Sequence, residues 1–176
     1  MSCLEIVIGC MFSGKSTELI RRCNRYKAIG HSILYINHSN DTRTTDFIQT
    51  HNKNKEKAIK LNTLMPFLES IEYATSSVIG IDEAQFFPDL YEFVVASEKE
   101  NKKIIIAGLD GDFNRKPFGK ILECIPLCDE IVKLTALDKD GTPAIFTKRI
   151  NNANQEQVCV GAANLYQAVS RKHYLE

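Results

Sequence analysis

Gly9-Cys10-Met11-Phe12-Ser13-Gly14-Lys15-Ser16-Thr17 fits the pattern G-x-x-x-x-G-K-[ST]. Gly9 and Gly14 let backbone N–H groups converge on phosphate oxygens, and Ser13 and Thr17 complete the loop and the entry into a helix. Lys15 is placed to neutralise terminal phosphates, and the Ser16 hydroxyl to ligand Mg²⁺. The apolar run Leu4–Ile8 before it reads as a buried strand, and Glu18–Tyr26 after it as a helix ending before Gly30. Strand, glycine loop and helix together make this a phosphate cradle rather than a glycine-rich turn with a solvated lysine. The expected ligand is a nucleoside triphosphate.

A second acidic element has the context to complete that chemistry. Val78-Ile79-Gly80-Ile81-Asp82-Glu83 is an apolar strand ending in two carboxylates. Asp82 is suited to the Mg²⁺ shell beside Ser16, directly or through water. Glu83, one residue on, is suited to accept a proton from whatever attacks the γ-phosphate. If that is water the protein is an ATPase; if it is a substrate hydroxyl, a kinase. The two motifs leave that choice open.

The elements that must position these groups can be read from the spacing. Strands are expected at Ser32–Ile36, Ser77–Ile81, Lys103–Gly108 and Glu130–Leu134, and helices at Thr17–Ile29, Thr63–Tyr73 and Leu90–Asn101. Their alternation predicts an α/β fold: a phosphate-loop (RecA-like), mainly parallel sheet flanked by helices. His38–Lys57 is polar and aperiodic and reads as a long surface loop. From Ala136 the pattern changes: a turn over Leu137–Pro143, then strand-like runs at Ala144–Ile150 and Gln157–Val160. The expectation is a nucleotide-binding domain over 1–135 and a small β-rich appendage over 136–176. At 176 residues, with 22 Lys+Arg balancing 22 Asp+Glu, one compact core is expected and a broad nucleic-acid footprint is not. No apolar run has transmembrane length, no secretory signal fits the N-terminus, and the six cysteines form no C-x-x-C pair. A cytoplasmic protein with free thiols and no membrane partner is the expectation.

Five ordered blocks resemble the type II (cytosolic-type) thymidine kinase family. They are the phosphate loop through Arg22, Val78–Asp89, Gly108–Gly119, Val132–Ala136 and Phe146–Arg149. The resemblance runs from about residue 4 to 174. It implies a kinase that uses ATP and Mg²⁺ to phosphorylate the 5′-hydroxyl of thymidine. Glu83 matches the family's catalytic base. Arg43 matches an arginine that stabilises phosphoryl charge, and Asp41 lies near the metal in that pattern. Met11, Phe86, Leu109, Phe113, Phe118 and Tyr166 match positions that enclose the nucleoside, and Thr147 one near the thymine methyl. A closing lasso would include Val158, Cys159, Val160 and Gly161 within Val158–Ala163. The resemblance also implies a homotetramer and inhibition by thymidine triphosphate. Core packing would equally suit the phenylalanines, and solvated charge would suit Arg43. Arg115, Lys116, Lys148 and Arg149 read as surface or interface groups.

The sequence departs from that family at its structural zinc. The four cysteine positions fall at Asp138, about Gly141, Ser170 and His173, a poor donor set, so no structural zinc is expected. Cys10 stands where proline is usual, and Ala84 where glycine is common. The rivals to the kinase reading are a stand-alone ATPase or RecA-like nucleic-acid motor module, and a regulatory nucleotide binder without catalysis.

Overall fold

The computed structural model describes residues 1–41, 46–49, 55–150 and 165–176. In chain order the elements are β1 (Cys3–Gly9), α1 (Lys15–Ala28), β2 (Ile33–His38), β3 (Phe47–Gln49), β4 (Lys55–Lys57), β5 (Ile59–Leu61), α2 (Ile71–Thr75), β6 (Val78–Asp82), α3 (Leu90–Lys99) and β7 (Lys103–Gly108). Then follow β8 (Glu130–Leu134), β9 (Ala136–Leu137), β10 (Pro143–Ala144), β11 (Phe146–Arg149), β12 (Tyr166–Val169) and α4 (Arg171–Leu175). A six-stranded sheet runs β5-β2-β6-β7-β1-β8, and every pairing within it is parallel. Parallel strands must be covered on both faces, which is why β1, β6 and β7 are apolar along nearly their whole length.

Alternation divides the strand side chains between two cores. Ile6, Ile36, Ile79, Ile81 and Ile106 pack on one face with Leu90 and Phe93 of α3 and with Tyr73 and Phe87. Val7, Tyr35, Ile105 and Ala107 face the other way, against Leu19, Ile20 and Cys23 of α1. Helix α1 stops where expected: Gly30 takes φ 89°, and the amides of Gly30 and His31 donate to Lys27 O and Tyr26 O.

Arg22 fastens α1 to the sheet. Its side chain is 7% exposed and reaches Glu18 within the helix (2.8 Å), Glu5 on β1 (2.5 Å) and Glu130 on β8 (2.7 Å). The paired guanidinium groups of Arg21 and Arg22 hold the Glu18 carboxyl down at about 2. Removing the cation strands three carboxylates around one spot, a loss of about 3 kcal/mol. Arg22→Leu is therefore expected to lower the denaturant midpoint clearly, whereas Arg21→Leu, on the exposed side of α1, should change it little.

Two expectations need correction. The helix expected over Thr63–Tyr73 is two short pieces, a 3₁₀ turn at Met65–Glu69 and then α2. Pro66 suits only a first turn, and Ser70 takes extended backbone and caps α2 by accepting from the Tyr73 amide. The loop expected over His38–Lys57 contains an antiparallel hairpin, β3 with β4, anchored by fully buried Ile48. Strands of three residues with mostly polar types leave no usable alternation. In the C-terminal part β9 pairs with β10 and β11 with β12. The partner of β11 is thus Tyr166–Val169, while the expected Gln157–Val160 strand lies outside the described residues.

Candidate active site

Because the sheet is parallel, the ends of β1, β2, β6 and β7 open on one edge, where ligands bind in such folds. The phosphate loop leaves β1 there, and Asp82-Glu83 leave β6, with β7 between them. Gly9 has φ 153°, and a Cβ on it would meet Leu134 O at 2.4 Å and Ser13 Oγ at 2.7 Å. Only glycine fits. Gly14, at φ 85°, caps α1, whose first-turn amides have no helical acceptor and so are suited to an anion. The Cys10 carbonyl accepts from Ser13 Oγ (2.9 Å) and Lys15 Nζ (2.7 Å), so the lysine folds across the loop. Burial pulls the Lys15 pKa down, and the nearby Glu83 and Asp82 carboxylates oppose that shift. Phosphate loop and acidic pair therefore share one electrostatic site.

Ser16 lies in the first turn of α1, and Asp82, at 2% exposure, ends β6. On neighbouring β2, Asn37 pairs in register with Asp82 and donates through Nδ2 to Asp41 Oδ2 (2.8 Å). Asn37 Oδ1 is buried with no hydrogen-bond partner among the described residues. This all-oxygen donor set suits Mg²⁺, which takes one or two carboxylates and completes its shell with phosphate and water. Among the described residues no group of three or more His, Cys, Asp or Glu is built to hold a metal alone. Arg43 lies outside the described residues.

Glu83 adopts a left-handed backbone, φ 52° and ψ 38°, and starts the 3₁₀ turn Ala84–Phe86. A non-glycine residue there is strained, and such strain gathers where a side chain must be aimed. His38, at the end of β2, packs on Phe86 and Phe87 and accepts at Nδ1 from the Asn40 amide. Burial lowers its pKa below the ordinary 6.5, against a backbone contact at Asn62 and the Glu83 carboxylate. The unfolded chain then takes up a proton before the folded one, so stability should fall as pH drops below about 6.5. Acidification from pH 7.5 to 5.5 should cost the wild type more in Tm than His38→Asn.

The residues expected around a nucleoside fall into three pairs, with Leu109 apart from them. Phe86 and Phe118 meet edge to face at 5.5 Å. Met11 is held by its amide, which donates to Thr147 Oγ1 at 3.0 Å. Phe113 and Tyr166 are joined by Arg149, whose guanidinium carbon lies 3.8 Å from the Phe113 ring centre and which donates to Tyr166 Oη at 2.6 Å. Leu109, buried after β7, donates its amide to Gln85. Arg149 corrects its reading as a surface group: it is 8% exposed. Its strand alternation with buried Thr147 was the available signal. A cavity of about 210 Å³ borders Cys10, Asp112, Arg115, Phe146 and Thr147. Val158, Cys159, Val160 and Gly161 lie outside the described residues.

Cys10, in the place usual for proline, donates its thiol to Ala144 O at 3.3 Å and so ties the phosphate loop to β10. At the former cysteine positions, Asp138 Oδ2 lies 2.8 Å from His173 Nδ1, and Asp140 Oδ2 lies 2.9 Å from His173 Nε2. Ser170 caps α4 through the His173 amide. These contacts use both ring nitrogens and both turn carboxylates, so the donor set does not fit a tetrahedral zinc.

A family model described as thymidine kinase matches residues 2–174. The thymidine kinase of vaccinia virus (strain Western Reserve) is 45% identical over 174 residues, spanning 98% of this chain and 97% of that protein. That of variola virus (isolate Human/India/Ind3/1967) is likewise 45% identical over 174 residues, with 98% and 97% covered. That of monkeypox virus is 44% identical over 174 residues, again with 98% and 97% covered. Near-complete alignment over a phosphate-loop α/β fold leaves one reading of its ancestry: the chain belongs to the thymidine kinase family.

Proposed function

We propose that this ATP-dependent kinase transfers the γ-phosphate to the 5′-hydroxyl of thymidine, with Glu83 taking the hydroxyl proton. The observation that carries this reading is the shared site of Lys15 with Glu83 and Asp82, at the sheet edge where a strained backbone aims Glu83. In it, the Gly9–Thr17 loop and the N-terminus of α1 hold the triphosphate, and Lys15 meets the charge that develops on transfer. Ser16 and Asp82 would hold Mg²⁺, which when bound neutralises phosphate charge. Arg43 adds positive charge from its loop. Met11, Phe86, Leu109, Phe113, Phe118, Thr147 and Tyr166, with the lasso residues Val158–Gly161, enclose the nucleoside and keep water out.

In this reading residues 1–135 carry the nucleotide chemistry and 136–176 form the lasso. The Cys10–Ala144 and Met11–Thr147 contacts support a direct connection between them. We further place the protein in the cytoplasm as a homotetramer. No helix among the described residues is long and apolar enough to cross a membrane.

Exclusion of water makes a direct prediction. With Mg-ATP alone, ADP release should be slow compared with release in the presence of thymidine, and single-stranded DNA should not accelerate it. Vigorous nucleoside-independent hydrolysis stimulated by DNA would instead support a motor module.

A further inference from the structure

Gln85 is 2% exposed and lies two residues beyond Glu83, inside the 3₁₀ turn that follows the strained residue. Its side-chain Oε1 accepts from the Leu109 amide at 3.0 Å, and its Nε2 donates to Glu83 Oε2 at 2.8 Å. The orientation of the amide is not arbitrary. A backbone N–H can only donate, so the oxygen must face Leu109, and the NH₂ group is left to face Glu83. A carboxylate can only accept, which suits that end equally.

Gly108 leaves room for this side chain: a Cβ there would lie 2.5 Å from Gln85 Oε1. The turn itself is held close by Gly119, where a Cβ would lie 1.9 Å from the Gln85 carbonyl oxygen. The amide therefore joins the end of β7 to the carboxylate at the end of β6, independently of any ligand.

We propose that Gln85 is the positioning residue of the base: it holds Glu83 Oε2 and thereby fixes the orientation in which the carboxylate meets the acceptor hydroxyl. This rests on the reading of Glu83 as the base. One charge-assisted hydrogen bond fixes one oxygen and with it the plane of the carboxylate. Gln85 touches no reacting atom and acts only through Glu83.

Two substitutions separate this role from simple packing. Gln85→Glu keeps an acceptor for the Leu109 amide but removes the donor to Glu83 and adds a like charge. Its kcat is expected to fall about 10- to 100-fold, the rate equivalent of one such bond, with the thymidine KM within about threefold. Gln85→Met removes both polar ends without adding charge and should lose kcat to a similar extent, again with the thymidine KM near wild type. Combined with Glu83→Gln, Gln85→Met should cost nothing further, since it has no base left to position.

A wild-type kcat in Gln85→Glu, while Glu83→Gln is inactive, would overturn the positioning role alone. Full additivity in the double variant would overturn it too. An active Glu83→Gln enzyme would instead overturn the underlying assignment of the base. If Gln85→Met does not fold, Gln85→Glu, which preserves the Leu109 contact, decides the matter.

Discussion

Replacing Glu83 with glutamine is expected to lower kcat by about 10²–10⁴-fold, the usual contribution of a general base. Thymidine and ATP should still bind with affinities close to wild type. The amide keeps the size of the side chain and much of its polarity but cannot accept the 5′-hydroxyl proton. The backbone that carries it does not depend on the charge: the left-handed turn at φ 52° and the 3₁₀ segment Ala84–Phe86 are expected to stay as they are, and the amide oxygen can still accept from Gln85. Single-turnover kinetics with saturating substrates, alongside equilibrium binding of each, make the comparison. Retention of more than about a tenth of wild-type kcat would remove Glu83 from this role.

Lys15→Ala is expected to lower kcat by about 10²–10³-fold and to weaken ATP use together, because one group serves both ground-state binding and charge stabilisation. Lys15 Nζ rests on the Cys10 carbonyl at 2.7 Å, and burial already disfavours its charge. An arriving phosphate adds negative charge to that of Glu83 and Asp82, so the ammonium form is reinforced just where negative charge accumulates. The loop itself should survive, since Gly9, Ser13 and Gly14 set its path. Unchanged steady-state turnover at saturating Mg-ATP would contradict the phosphate-loop assignment.

The site was far more legible in the sequence than its supports were. Gly9, Gly14, Lys15 and Ser16 are spaced by the geometry of a backbone wrapped around phosphate, and that geometry tolerates few other residues. The run Val78–Glu83 announced a buried strand with its acidic pair at the sheet edge, and five of the six parallel strands followed from alternation of apolar runs with helices, the three-residue edge strand β5 being too short to show a pattern. What escaped was decided by contacts distant in the chain. Arg149 looks like surface charge until β11 and β12 pair and set it between Phe113 and Tyr166. Ile48 is one apolar residue in a polar stretch, buried only because the β3–β4 hairpin folds back on the α1 face. Asn37 and Gln85 are neutral amides, whose burial beside carboxylates no local pattern marks. Asp138 and His173 stood out only as the two cysteine-matched positions with side chains able to ligand a metal. Their direct contact, with Asp140 on the far ring nitrogen, arises from the pairing of β9 with β10 and the placement of α4.

Product identity tests the central claim most directly. The protein, Mg-ATP and a panel of deoxynucleosides would be incubated separately, with ADP and nucleoside monophosphate quantified in the same samples. Thymidine should give thymidine 5′-monophosphate and ADP in equal amounts, and Glu83→Gln should abolish both. ADP accompanied by inorganic phosphate, with no 5′-monophosphate from any deoxynucleoside, would contradict the account.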